Sequence, residues 1–332
     1  MEQIALGTSG RSTTRLGFGC SSLMGATGRR ESLKLLETAY DAGIRHFDVA
    51  PMYGYGEAES CLGEFLQHHQ GHVTVTTKYG IPPAKHSRLI RIGRRIASPI
   101  IQQLPSVKRE LAQAVIAATR NTHRPAFTAA QAKASLDRSL TALRTSHIDL
   151  WLLHEATAPD LQDDGLLHLL EDLVKQGTIG AFGIGSSVDK TPALLTQRPA
   201  YCRVLQYEWS VLDANVQQSQ PPFFRIHHRA LTGNFRAIHT ALIKNKPLLR
   251  RWSEGTNTDL SNDEALAQLM LKASLEMNPA SIVLFSSKKP GHIRANVETA
   301  ENTALASTAR RLYGLVREER DHLLGVAAQS AT

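Results

Sequence analysis

The stretch "RESLKLLETAYDAGIRHFDVAPMYGYGEAESCLGEFLQHHQGHVTVTTK", Arg30 to Lys78, decides the fold. Its first part, "RESLKLLETAYDAG", repeats apolar residues at helical spacing and stops at Gly43. "IRHFDVA" is short and β-rich, "EAESCLGEFLQHH" is helical again, and "VTVTTK" is a strand. One βα unit is therefore followed directly by another.

The same order extends outward. Before it lies the strand "RLGFGC". After it come the helix "TAAQAKASLDRSLTALRT", with Thr128 as N-cap, and the strand "IDLWLLH". The helix "GLLHLLEDLVKQG" stops at Gly177 and leads to the strand "GAFGIGSS". Then follow helix-like "KTPALLTQRPA", the strand "RVLQYEWS", a shorter "FFRIHHRAL", the helix "DEALAQLMLKASLEMN" and the strand "SIVLFSS" before a last helical region. Repeated βα order implies a parallel sheet. An open doubly wound sheet is the alternative; the count of close to eight β-units favours the closed (β/α)8 TIM barrel, typically about 250 residues and longer with insertions. Positions 1–332 read as a single barrel domain with a basic, helical insertion at 80–128 after the third strand.

With 332 residues, 42% of them hydrophobic and 20% charged, the chain is long enough to bury a large core, which excludes a disordered polymer. No run approaches a membrane span and the N-terminus lacks a signal pattern, so the cytoplasm is the expected compartment. Cys20, Cys61 and Cys202 are odd in number and far apart, which points to buried thiols rather than a disulfide framework. The net charge of +8 is local: 80–128 carries nine Lys or Arg against Glu110 alone. The rest of the chain is balanced. Apolar residues interleave with arginines in "SRLIRIGRRIASPIIQQL", so the insertion reads as a lid over the barrel mouth, a patch for a polyanion, or a subunit contact. Its position after Lys78 favours the lid.

In a βα barrel the chemistry sits where strands end. "FDVAPMY" supplies Asp48 and Tyr53, "TVTTK" supplies Lys78, and "LWLLH" supplies His154. A tyrosine, with a pKa of about 10, is a poor acid near neutrality unless an ammonium favours its phenolate. Lys78 offers that ammonium, Asp48 holds the lysine charged, and His154 can donate to a carbonyl oxygen. Such a site protonates a developing alkoxide and needs a hydride donor.

"FDVAPMYGYGEAE", "TTKYG", "WLLH" and "VLQYEWSVLD" resemble the signature segments of the aldo-keto reductase family, over about Leu16 to Asn296. The resemblance implies a (β/α)8 barrel that uses NADPH, less often NADH, with Asp48, Tyr53, Lys78 and His154 as its catalytic tetrad; Tyr53 is chosen over Tyr55 by the family's five-residue separation. It further implies coenzyme contacts from Gly19 and Cys20, from Ser186 beside Gly185, and from Gln206 at the nicotinamide carboxamide. Ser286, Ser287, Lys288, His292 and Asn296 are assigned to the adenosine end, where a lysine that neutralises a 2′-phosphate favours NADP over NAD. Two segments depart from the family pattern. "DANVQQSQPPFFRIHHRAL" is too short and proline-rich for the usual helix, leaving Phe223 or Phe224 for the nicotinamide-stacking position, and 80–128 replaces a short loop.

"GFGCSS" lacks the third glycine of a dinucleotide fingerprint and reads as a tight strand exit. His227–His228 is a poor chelate because neighbours in a strand point to opposite faces, so no metal is expected. The expected function is NADP(H)-dependent interconversion of a carbonyl, whether aldehyde, ketone or sugar, and an alcohol with Tyr53 as acid/base. The alternative is a non-catalytic subunit that senses NADPH. The expected partner is a small-molecule carbonyl or sugar substrate, without nucleic acid or an integral membrane segment, and any self-association would run through the insertion.

Overall fold

Eight short strands close on themselves as a parallel barrel. In chain order they are β3 (Leu16–Gly19), β4 (His46–Asp48), β5 (Thr74–Tyr79), β6 (Ile148–His154), β7 (Ile179–Gly185), β8 (Val204–Glu208), β9 (Phe224–His228) and β10 (Ser281–Phe285). β10 pairs with β3 through Val283 and Leu16, which completes the ring. The computed structural model describes residues 1–25, 27–83, 125–213, 222–232 and 234–329. Most of the expected 80–128 insertion, its lid or contact role included, therefore lies outside the described residues, as does 214–221, the first part of the shortened segment.

Side chains alternate between the two faces of each strand. On β6, Leu150 and Leu152 join Ala181, Val204, Ile226, Ile282 and Leu284 in an apolar cluster inside the barrel. Trp151 and Leu153 belong instead to the larger cluster shared with the surrounding helices. Two three-residue strands that the sequence pattern did not reveal, β1 (Gln3–Ala5) and β2 (Ser12–Thr14), form an antiparallel hairpin, and Leu6 from its turn plugs the barrel floor.

The helices start and stop as the sequence dictates. Thr128 caps the helix Ala129–Leu143 by accepting from the Gln131 backbone N–H. Gly43 (φ 99°) and Gly177 (φ 72°) take the left-handed conformation just past two helix ends. Unanticipated helices Asn234–Lys244 and Lys246–Thr256 precede Asp263–Met277, and with Ala306–Glu318 they bury a separate apolar cluster around Ile238, Trp252 and Leu312. Cys20, Cys61 and Cys202 are all free and buried. Among the described residues, no helix is long and apolar enough to cross a membrane.

Candidate active site

The alternation that sends Leu150 and Leu152 inward makes His154 the last inward residue of β6. The same parity delivers Asp48, Lys78, Gln206 and His228 from the ends of β4, β5, β8 and β9 to one cavity. Tyr53 arrives from the turn after β4. There Gly54 (φ 57°) and Tyr55 (φ 58°) are both left-handed, and a Cβ on Gly54 would lie 2.6 Å from the Leu23 carbonyl oxygen, so only glycine fits. Tyr55 is not among the cavity-lining residues.

Lys78 Nζ donates to Asp48 Oδ1 at 2.7 Å and to the Val49 carbonyl at 3.1 Å. It also stands 5.4 Å from the centroid of the Tyr53 ring. Burial works against the lysine's charge, yet the Asp48 carboxylate and Tyr53 outweigh it and raise its pKa above the ordinary value. Burial raises the Tyr53 pKa, and the Lys78 ammonium acts against that rise. The site thus keeps a charged lysine against a neutral phenol, the arrangement of a proton donor held ready.

Gln206 Nε2 donates to the other carboxylate oxygen, Asp48 Oδ2, at 2.8 Å. An ionised carboxylate only accepts, so the amide nitrogen must face it. The Gln206 carbonyl oxygen is left buried and without a hydrogen-bond partner. It lies 3.2 Å from where a Cβ on Gly185 would stand. A buried acceptor beside Ser186 suits the N–H of a primary amide, and to that extent these residues fit a nicotinamide carboxamide.

The cavity measures about 550 Å³, and its lining includes Asp48, Tyr53, Lys78 and His154, the four residues of the expected tetrad, with Gly19, Ser186, Gln206, Ser286 and Asn296 of the expected coenzyme contacts. Ser286 Oγ donates to the Gly19 carbonyl at 2.6 Å, tying the end of β10 to that of β3. Cys20 is not in the lining: it is fully buried, and burial pushes its thiol pKa well up. Ser287, Lys288 and His292 stand outside the cavity at the start of the helix Pro290–Glu301, with Lys288 and His292 exposed. Neither aromatic considered for stacking reaches the cavity. Phe223 is buried under the Arg225 guanidinium, and Phe224 opens β9 and packs beside Gly7 at the opposite end of the barrel.

The cavity wall also holds Glu155, Glu208, His228 and Arg229, which the sequence reading did not assign. Two strands end alike: inward His154 precedes Glu155 (φ 59°) and inward His228 precedes Arg229 (φ 61°). These left-handed residues turn the chain off the barrel, and their side chains form ion pairs, Glu155 with Lys190 at 2.6 Å and Arg229 with Glu208 at 3.1 Å. Burial lowers the His228 pKa to about 4, so the ring is neutral at pH 7. The signal that finds Glu208 and His228 is the strand-end rule applied to every strand.

A model of the aldo/keto reductase family matches residues 15–312. D-threo-aldose 1-dehydrogenase of a Pseudomonas species is 32% identical over 198 residues, 55% of this chain and 53% of that protein. Pyridoxal 4-dehydrogenase of Microbacterium luteolum is 43% identical over 82 residues, 24% of each chain. The matches thus span from about a quarter to about half the length of these curated relatives. An aldo-keto reductase from Bacillus halodurans, in its holo form, shares the fold with a TM-score of 0.63 at 19% identity, over 94% of this chain and 96% of that one. One from Klebsiella pneumoniae, solved in complex with NADPH, gives 0.61 at 17% identity over 93% and 95%. The family match runs through all eight barrel strands, and this chain belongs to the aldo/keto reductase family.

Proposed function

We propose that the protein is an NADP(H)-dependent oxidoreductase that interconverts a small-molecule carbonyl and an alcohol, with Tyr53 as the acid/base. The observation that carries this reading is the buried Lys78 ammonium, 2.7 Å from Asp48 Oδ1 and 5.4 Å from the Tyr53 ring centroid, in a cavity shared with His154. Asp48 keeps Lys78 charged, and Lys78 makes loss of the Tyr53 proton easier than burial alone would allow. His154 lines the same cavity and can hydrogen-bond the substrate oxygen while Tyr53 delivers its proton. NADPH, when bound, supplies the hydride.

Gln206 and Ser186 are suited to hold the coenzyme's carboxamide, and Lys288 and His292 to meet its phosphate-bearing end. A family member solved with NADPH and relatives named as dehydrogenases support the choice of chemistry. The test is coenzyme oxidation: NADPH with a panel of aldehydes, ketones and sugars gives carbonyl-dependent loss of nicotinamide absorbance. Binding of NADPH without turnover of any member of the panel would favour the sensing subunit instead.

A further inference from the structure

We infer that Gln206 is a positioning residue for proton transfer, joining the site of the coenzyme's amide to the Asp48–Lys78 pair across the barrel. The inference rests on the hydride-transfer reading above. Its basis is topological. β8 and β4 lie on opposite sides of the closed sheet, separated by β5, β6 and β7 on one side and by β9, β10 and β3 on the other. Gln206 nevertheless spans the interior to reach Asp48 Oδ2 at 2.8 Å. Gly185 on β7 leaves it room: a Cβ there would stand 3.2 Å from Gln206 Oε1 and 3.8 Å from Lys78 Cε.

Asp48 is therefore held by both oxygens, one by Lys78 and one by Gln206, and cannot turn without breaking a charge-assisted bond at a buried position. Gln206 has one amide with two ends. Its nitrogen is committed to the proton machinery, and its oxygen is the buried acceptor left for a ligand N–H. A ligand that fixes the oxygen fixes the nitrogen, and with it the carboxylate on which Lys78 depends. Coupling of this kind is reciprocal in binding free energy.

The other groups around the pair do not substitute for Gln206. Cys20 and Tyr53 face the pair as neutral acids, while His46 below it and His228 from β9 are kept neutral by burial. His154 and Glu155 line the same cavity, and the Glu155 carboxylate is engaged by Lys190. With the donor gone, one Asp48 oxygen is left without this partner, and its fuller negative charge opposes loss of the Tyr53 proton.

The experiment measures NADPH affinity by coenzyme fluorescence for the wild type, Gln206→Met, Asp48→Asn and the double variant, then kcat and its pH profile at saturating NADPH. Asp48→Asn touches no expected coenzyme atom, yet it weakens NADPH several-fold, and the double variant loses less than the product of the two single losses. At saturating NADPH, Gln206→Met lowers kcat about tenfold, the order expected for one lost charge-assisted bond. Gln206→Glu, which keeps size and acceptor but donates only when protonated, loses more as pH rises. Its folded yield guards against misreading a collapsed Met variant. Multiplicative effects on affinity, with kcat and its pH profile unchanged at saturation, would overturn the inference and leave Gln206 a coenzyme ligand only. A wild type that binds no NADPH would remove the hydride-transfer reading and this inference together.

Discussion

Lys78 and Asp48 meet across adjacent strands β5 and β4 with 2.7 Å between Nζ and Oδ1, and their side chains are only 3% and 5% exposed. At that depth each charge depends on the other, because neither can be solvated in the partner's absence.

Asp48→Asn keeps the shape and removes the countercharge. Stranding a buried ammonium costs about 3–5 kcal/mol. Urea unfolding is expected to show a lower midpoint with an unchanged slope; a midpoint equal to wild type would mean that Lys78 is neutral in the fold.

Tyr53→Phe deletes one oxygen and leaves the Lys78–Asp48 pair in place. Loss of a positioned acid is expected to lower kcat by about 10²–10⁴-fold. NADPH affinity, measured by fluorescence, is expected to stay at the wild-type value. Full turnover by the phenylalanine variant would transfer the acid/base role to another group.

Three histidines, His46 and His227 buried and His228 half-buried, respond to acid. Burial lowers His46 and His228 to about 4 and His227 to about 3, from an ordinary value of 6.5. They are neutral in the fold and bind protons more readily when it opens. Their contribution to stability is therefore complete above about pH 6.5 and is lost as the pH falls toward 4. His46 contacts Thr74 and Thr76 hydroxyls at 2.9 and 3.1 Å, one at each ring nitrogen. Its replacement by Gln is expected to flatten the fall in urea midpoint between neutral and mildly acidic pH. An unchanged slope would exclude it as an acid trigger.

Gly183 is expected to tolerate no side chain. A Cβ there would lie 2.0 Å from the Val204 carbonyl oxygen on the neighbouring strand, an atom that cannot move aside. Gly183→Ala should destabilise by about 1–3 kcal/mol or more. Gly291, in the helix Pro290–Glu301 with nothing within 4 Å of its would-be Cβ, serves as the control. Gly291→Ala should be neutral or stabilising by about 0.5–1 kcal/mol. Equal thermal shifts for the two would contradict the packing argument.

Much of this arrangement is legible in the sequence because β and helical periods differ and because an ionisable residue at the end of an apolar run is conspicuous. Asp48, Lys78 and His154 were found that way, and the structure brings them to one cavity. The hairpin β1–β2 escaped because three-residue strands carry no period. The pair His227–His228 shows a signal used only halfway. The opposite-face rule set it aside as a metal chelate, but the same rule sends one ring inward. His228 lines the cavity while His227 lies against Tyr207 and Trp209. The bond from Gln206 to Asp48 was beyond sequence reasoning, since contact across the barrel depends on its closure and on the width of its interior.

The glycines on the inner faces of β3 and β7 give the site its floor plan. Gly17 and Gly19 on one, and Gly183 and Gly185 on the other, offer no side chain, and a methyl group at any of the four would crowd a neighbour. The reactive groups are long, and the space into which they extend belongs to strands that contribute no chemistry. A lineage that filled Gly185 would keep Tyr53, Lys78, Asp48 and His154 intact in its sequence and still crowd the amide of Gln206 and the stem of Lys78. An inventory of reactive residues alone would score such a descendant as competent.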